Sequence, residues 1–227
     1  MKHLLLPPSE KRKQFELRAL GLRDFAGVGD DQPLDPFELA KFAKLMVVDF
    51  DQIKELSPAA RAHLLGPAAD DWSGGACSQP LPNGWRIVIL NPLHGSQRNR
   101  ATLMEEVAHV FLGHKPNRLA AIVDPSSPNV GPPSTQSEKI GQTVPPSKLQ
   151  GRMMARDYNQ ADEEAAYAVG AAALVPYGAL RHQVASGRTA REIARHFRVS
   201  HQLAEYRIKV THLWGEYKRT AAARTEV

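Results

Sequence analysis

Thr102-Leu103-Met104-Glu105-Glu106-Val107-Ala108-His109 sets two carboxylates and an imidazole inside an otherwise apolar stretch. The apolar positions continue through Val110-Phe111-Leu112 and stop at Gly113, which predicts a helix over about residues 99–113 with glycine as its C-terminal stop. Apolar side chains occupy nearly every direction around that helix, which is the pattern of a buried one. Ionised carboxylates on a buried helix are costly unless something pairs them.

Residues four apart share a helix face, so Glu105 and His109 point the same way. A divalent metal is an economical partner for such a pair. In the zinc-peptidase string H-E-x-x-H, two histidines bind the metal and the intervening Glu activates water. The string here is E-E-x-x-H: Glu106 holds the base position, His109 the second ligand position, and Glu105 replaces the first histidine. A carboxylate can ligate Zn²⁺, and an oxygen-richer site also admits Mn²⁺. A competing reading needs no metal. Thr102-x-x-Glu105 matches a capping box, in which Glu105 would reach back to a helix start at Thr102. A helix that begins at Ser96 or Asn99 removes that role, and both readings stay open on spacing alone.

A third protein ligand would have to come from elsewhere. Glu163 and Glu164 open a second alanine-rich helix, about residues 161–175, which Pro176 ends. Acids at a helix start also simply complement its dipole. His114 falls about 140° around the first helix from His109, a poor position for a co-ligand. Cys77 reads as a small buried residue rather than a nucleophile.

Outward from this centre, Asp35-Pro36-Phe37 opens a helix, with Asp35 as N-cap and Pro36 in the first turn. A short apolar strand follows at Leu45–Asp49 and a helix at residues 57–65. Residues 72–91 read as a β-hairpin: Asn83-Gly84 is the turn signal, Trp85–Leu90 the strong strand and Ser73–Gln79 the weak one. The first 30 residues are polar and predict loose packing. Seven prolines fall within residues 115–160, and Asp124–Lys148 reads as a Pro-rich insertion, flanked by candidate strands at Leu119–Val123 and Met153–Arg156. Helices over Thr189–Phe197 and His201–Trp214, joined by Arg198-Val199-Ser200, have the form of a helix-turn-helix.

The 227 residues contain 42% apolar and 23% charged positions, enough for a packed core in one generous domain. No apolar run reaches the length of a membrane span. The opening apolar stretch Leu4-Leu5-Leu6 is too short for a secretory signal, and a single cysteine fits a reducing compartment, so the expectation is a cytoplasmic protein. Residues 181–227 hold ten Lys/Arg and four Asp/Glu, net +6 of the total +5, so the basic charge belongs to the C-terminal segment.

Several features in order carry a resemblance: Asp35-Pro36-Phe37, Trp72-Ser73, the strand ending Asn91-Pro92, His94, Arg98, Thr102–His109, Glu163-Glu164-Ala165, Leu174-Val175-Pro176, and Ile193–Ser200 leading to Tyr206-Arg207. Over roughly residues 35–210 the chain resembles the ImmA/IrrE family of metallopeptidase-like proteins. That resemblance implies an α+β fold: a small zincin-like core with a short sheet beside the metal helix, plus a helix-turn-helix-like C-terminal segment. It divides the chain into a polar segment 1–34, a core 35–180 and a basic helical segment 181–227 packed on the core. It implies metal ligands Glu105, His109 and Glu164, the last chosen because the family's acid directly precedes an alanine, with Glu163 as the one-residue alternative. Glu106 would be the general base and Zn²⁺ the ion, with Mn²⁺ or no bound ion as alternatives.

Family members often cut, or help inactivate, a helix-turn-helix repressor in stress responses or mobile-element transfer. The leading expectation is therefore a metal-dependent endopeptidase whose protein substrate pairs with the strand Trp85–Leu90. Tyr158, Tyr167 and His94 are candidates for stabilising the oxyanion. Two alternatives stand beside it: a catalytically silent peptidase-like module that captures a regulator, and a DNA-binding regulator acting through the basic C-terminal helices.

Overall fold

The structure, a computed structural model, describes residues 4–54, 56–77, 79–114 and 159–225. The expected strands at Leu119–Val123 and Met153–Arg156, the Pro-rich insertion and Tyr158 lie outside the described residues.

The elements run α1 (Glu10–Phe25), α2 (Pro36–Phe42), β1 (Leu45–Val48), α3 (Pro58–Leu65), β2 (Gly74–Ala76), β3 (Arg86–Leu90), α4 (Ser96–Phe111), α5 (Gln160–Leu174), α6 (Tyr177–Ala185), α7 (Ala190–Phe197), α8 (His201–Val210) and α9 (Trp214–Thr225). Among the described residues the fold is mixed α+β, a three-stranded sheet against helices. None of the described helices is long and apolar enough to cross a membrane.

Local chemistry explains most starts and stops. Asp35 caps α2 by accepting from the Phe37 N–H, and Ser57 caps α3 by accepting from the Ala60 N–H. Asn159 accepts from Ala161 and Asp162 at the start of α5, and Thr189 forms a full capping box with Glu192 at α7. α4 begins at Ser96, six residues before Thr102, so Glu105 lies well inside the helix and the capping-box reading falls away.

The sheet order is β1-β3-β2. β3 pairs in parallel with β1, Leu45 opposite Arg86 through Val48 opposite Ile89, and antiparallel with β2, Gly74 opposite Leu90 through Ala76 opposite Val88. The hairpin forms, but β3 is the central strand. This corrects the expectation that a substrate pairs with Trp85–Leu90: both backbone edges of β3 are taken, and the edge beside α4 is β2. Gly74 shows how close that approach is, since a Cβ there would stand 2.8 Å from Thr102 Cγ2 and from the Ile89 carbonyl.

The N-terminal segment is also corrected. α1 buries Phe15, Ala19 and Leu22 together with two charged side chains, Glu16 and Arg23, and it packs on α5. Arg207 Nη2 donates to Glu16 Oε2 at 2.7 Å, the Tyr177 N–H donates to Glu16 Oε1 at 2.5 Å, and Arg207 Nε donates to the Val175 carbonyl at 3.0 Å. Arg23 donates to the carbonyls of Ala173, Gly29 and Gln32. A polar sequence is held in the core because the Glu16 carboxylate and both terminal nitrogens of Arg23 find partners there.

Leu103, Met104, Val107 and Ala108 of α4 join the alanine face of α5 in the core, as do Ile193 and Phe197 of α7 and Leu203 and Ile208 of α8. Phe111 is 46% exposed, so α4 is not buried all round.

Candidate metal centre

α4 and α5 lie antiparallel in close contact, and small side chains on α5 make that possible. At Gly170 a Cβ would sit 3.2 Å from the Met104 carbonyl and 3.4 Å from the Glu105 amide nitrogen. Ala166, fully buried, continues that stripe one turn earlier, and Glu163 stands one turn earlier again, at the helix start. The stripe that touches α4 therefore ends in a carboxylate opposite His109.

Glu105, His109 and Glu163 each offer a ligand atom within 4.8 Å of the others, all three side chains partly buried. His109 Nε2 lies 3.6 Å from Glu163 Oε2. Ligand atoms at the corners of a tetrahedral zinc site stand roughly 3.4 Å apart, as follows from metal–ligand lengths near 2.1 Å. The donor set, one imidazole and two carboxylates, therefore fits a divalent ion with small adjustments.

The third corner differs from the expected one. Glu164 faces α1, where Lys11 Nζ lies 2.7 Å from its carboxylate, and this lysine holds the carboxyl below its ordinary range. The cause is the phase of the helix: one residue turns the side chain by about 100°, away from the stripe set by Gly170 and Ala166. The signal was available in the spacing 163, 166, 170, which places Glu163 on the face of small residues.

His114 stays outside the group of candidate ligands, as expected, but lies closer to His109 than a continuing helix would place it. Gly113 takes a left-handed φ of 71°. The chain folds back, and the His114 N–H bonds to the His109 carbonyl at 3.0 Å, a Schellman-type end. The fold-back sets His114 Nδ1 3.1 Å from His109 Nδ1, while His114 Nε2 faces Asp162 Oδ1 at 3.6 Å. Burial pushes the His109 pKa below its ordinary value, against the pull of the Glu163 carboxylate; His114 adds to the lowering. A lowered pKa keeps the imidazole neutral near pH 7, the form that ligates metals.

Glu106 lies on α4 beside this cluster in sequence and is partly buried. Tyr167, one turn beyond Glu163, stacks edge-on with Tyr206 at 5.1 Å between ring centroids. Burial raises its phenol pKa, with Tyr206 and the Glu105 carboxylate adding to the effect, so its O–H stays protonated. His94 precedes α4 and is not brought to the cluster: roughly 13 Å of helix separates Ser96 from Glu105.

Two antiparallel helices of a small α+β fold thus bring together a Glu/His/Glu group that could hold a metal ion. A peptidase family model described as the IrrE N-terminal-like domain matches residues 148–209, which takes in α5 and ends within α8, and the match is consistent with the ImmA/IrrE family. The matched span lies beyond α4 and its E-E-x-x-H string. No curated protein and no solved structure matches the chain.

Proposed function

We propose that the protein is a metal-dependent endopeptidase of the ImmA/IrrE type, acting on a protein segment such as one from a helix-turn-helix repressor. The observation that carries this reading is the convergence of Glu105, His109 and Glu163 from two helices far apart in sequence. The family match on the second of those helices supports it independently.

Glu105, His109 and Glu163 would hold Zn²⁺ or Mn²⁺. A divalent ion at such a site polarises a scissile carbonyl and makes water more acidic. Glu106 takes the proton of the attacking water and delivers it to the leaving amine. An extended substrate segment adds to the outer edge of β2, which no other described strand pairs with, main chain to main chain, next to α4. Tyr167, whose phenol keeps its proton, supplies a donor to the developing oxyanion.

The test is cleavage of purified helix-turn-helix repressors by Zn²⁺- or Mn²⁺-loaded protein, wild type against Glu106→Gln. Cleavage by wild type that disappears in Glu106→Gln is expected; undiminished cleavage by the variant sinks the mechanism. One observation favours a second reading, a silent module that captures a regulator: Glu105 adds a second anionic ligand, which makes a bound ion less electrophilic. That reading requires regulator binding without cleavage at any metal concentration. For the DNA-binding reading, α8 buries Leu203, Ala204, Arg207 and Ile208, which leaves only part of its surface to enter a groove.

A further inference from the structure

At the far end of α4 from the metal cluster, a cleft of about 940 Å³ opens between the start of α4 and the α7–α8 turn. Arg100, Arg191, Arg195 and Arg198 line it, and among the described residues no carboxylate does. Arg100 is fixed in place: it donates to the Leu34 carbonyl at 2.5 Å, to the Arg198 carbonyl at 3.2 Å and to Asp35 at 3.3 Å. The guanidinium groups of Arg191, Arg195 and Arg198 form no ion pair among the described residues, and all three residues are exposed.

Two helix starts open into the same cleft. α4 begins at Ser96 with no side-chain cap on its first N–H groups, whereas α8 begins at His201 with Ser200 capping the Leu203 N–H. Both ends carry the positive pole of their helix dipole. Arg198 ends α7 with a left-handed φ of 55°, a position that favours glycine and here carries a guanidinium.

We infer that this cleft binds a compact oligophosphate, the charge-dense part of a nucleoside polyphosphate or inorganic polyphosphate. The cavity has the volume of a small-molecule site. Three guanidinium forks that form no ion pair among the described residues call for a ligand with several negative oxygens, and the uncapped N–H groups of α4 complete the set of donors. Apart from His201 no ring lines the cleft, so the phosphates rather than a base are recognised. The proposal is independent of the metal site.

The experiment is calorimetric titration of the full chain with sodium tripolyphosphate at low ionic strength. Saturable one-site binding is expected, weakened about tenfold or more in Arg195→Ala and in Arg198→Gly, the loss expected for one charge-assisted contact. Arg198→Gly relieves a left-handed arginine, so an unchanged or raised Tm shows that lost binding is not lost folding. Glu163→Ala leaves the titration unchanged. Absence of saturable binding, or binding that survives the Arg195→Ala/Arg198→Gly double variant, overturns the proposal. So does duplex DNA binding that requires these arginines but that tripolyphosphate does not compete, because the face is then a nucleic-acid interface.

Discussion

His114 Nδ1 lies 3.1 Å from His109 Nδ1, although the two residues belong to opposite sides of the end of α4. One of the two nitrogens must donate and the other accept. His109 turns its Nε2 toward Glu163, so a lone pair is needed there for an ion and the proton belongs on Nδ1. His114 then accepts on Nδ1 and carries its own proton on Nε2, toward Asp162. Asp162, His114 and the candidate ligand His109 thus stand in line, the outer pair placed to fix the tautomer of the inner one.

That alignment predicts that His114→Ala lowers Zn²⁺ affinity about 10–100-fold without unfolding the protein. Asp162→Asn produces a smaller change in the same direction. Competition with a chromophoric chelator, with circular dichroism as the folding control, measures both. Unchanged affinity in His114→Ala removes the histidine from the site.

The placement of the two adjacent acids makes a sharper test. Glu163→Ala and His109→Ala lose metal on purification without chelator, while Glu164→Ala keeps near-stoichiometric metal by mass spectrometry. Glu164 is 45% exposed in its pair with Lys11, so its removal also costs little stability. Metal lost in Glu164→Ala and kept in Glu163→Ala reverses the assignment.

Gly170 holds α5 against α4, and its replacement acts on the site at a distance. Gly170→Ala needs a shift of a few tenths of an ångström to clear the Met104 carbonyl, offset by the helix preference for alanine, so its stability stays near wild type. Gly170→Val overpacks the contact and costs about 1–3 kcal/mol in urea unfolding. It also moves Glu163 away from Glu105 and lowers metal content. Full metal content in a folded Gly170→Val protein counts against the close-approach account.

The sequence reading located α2, α3, α4 and α5 because capping residues, prolines and glycines mark their ends. It missed what depends on non-local partners. The charged stretch Glu10–Phe25 read as loose because Glu16 and Arg23 look like surface residues until Arg207 and the carbonyls of Ala173, Gly29 and Gln32 are brought to them. β3 read as an accessible hairpin strand because β1 reaches it only through a parallel pairing across 41 residues of register, Leu45 to Arg86. That Glu105 and His109 come together was legible from spacing within one helix. The choice between Glu163 and Glu164 depended on the phase of an alanine run, which the contact at Gly170 sets.

The buried pair of Glu16 and Arg207 yields the last prediction. The two side chains are 1% and 3% exposed and join α1 to α8, with the Tyr177 N–H and the Val175 carbonyl completing the network. Removing one partner strands the other charge in the core, so Glu16→Ala should cost about 3–5 kcal/mol in chemical unfolding. Replacing both by apolar residues of similar size, Glu16→Leu with Arg207→Met, removes both desolvation costs and should recover most of that loss. The double variant still lacks the acceptor for the Tyr177 N–H, so recovery is incomplete. A double variant that is less stable than Glu16→Ala alone means the pair contributes more than the desolvation it offsets. The metal content of the double variant stays near wild type, since neither residue touches Glu105, His109 or Glu163.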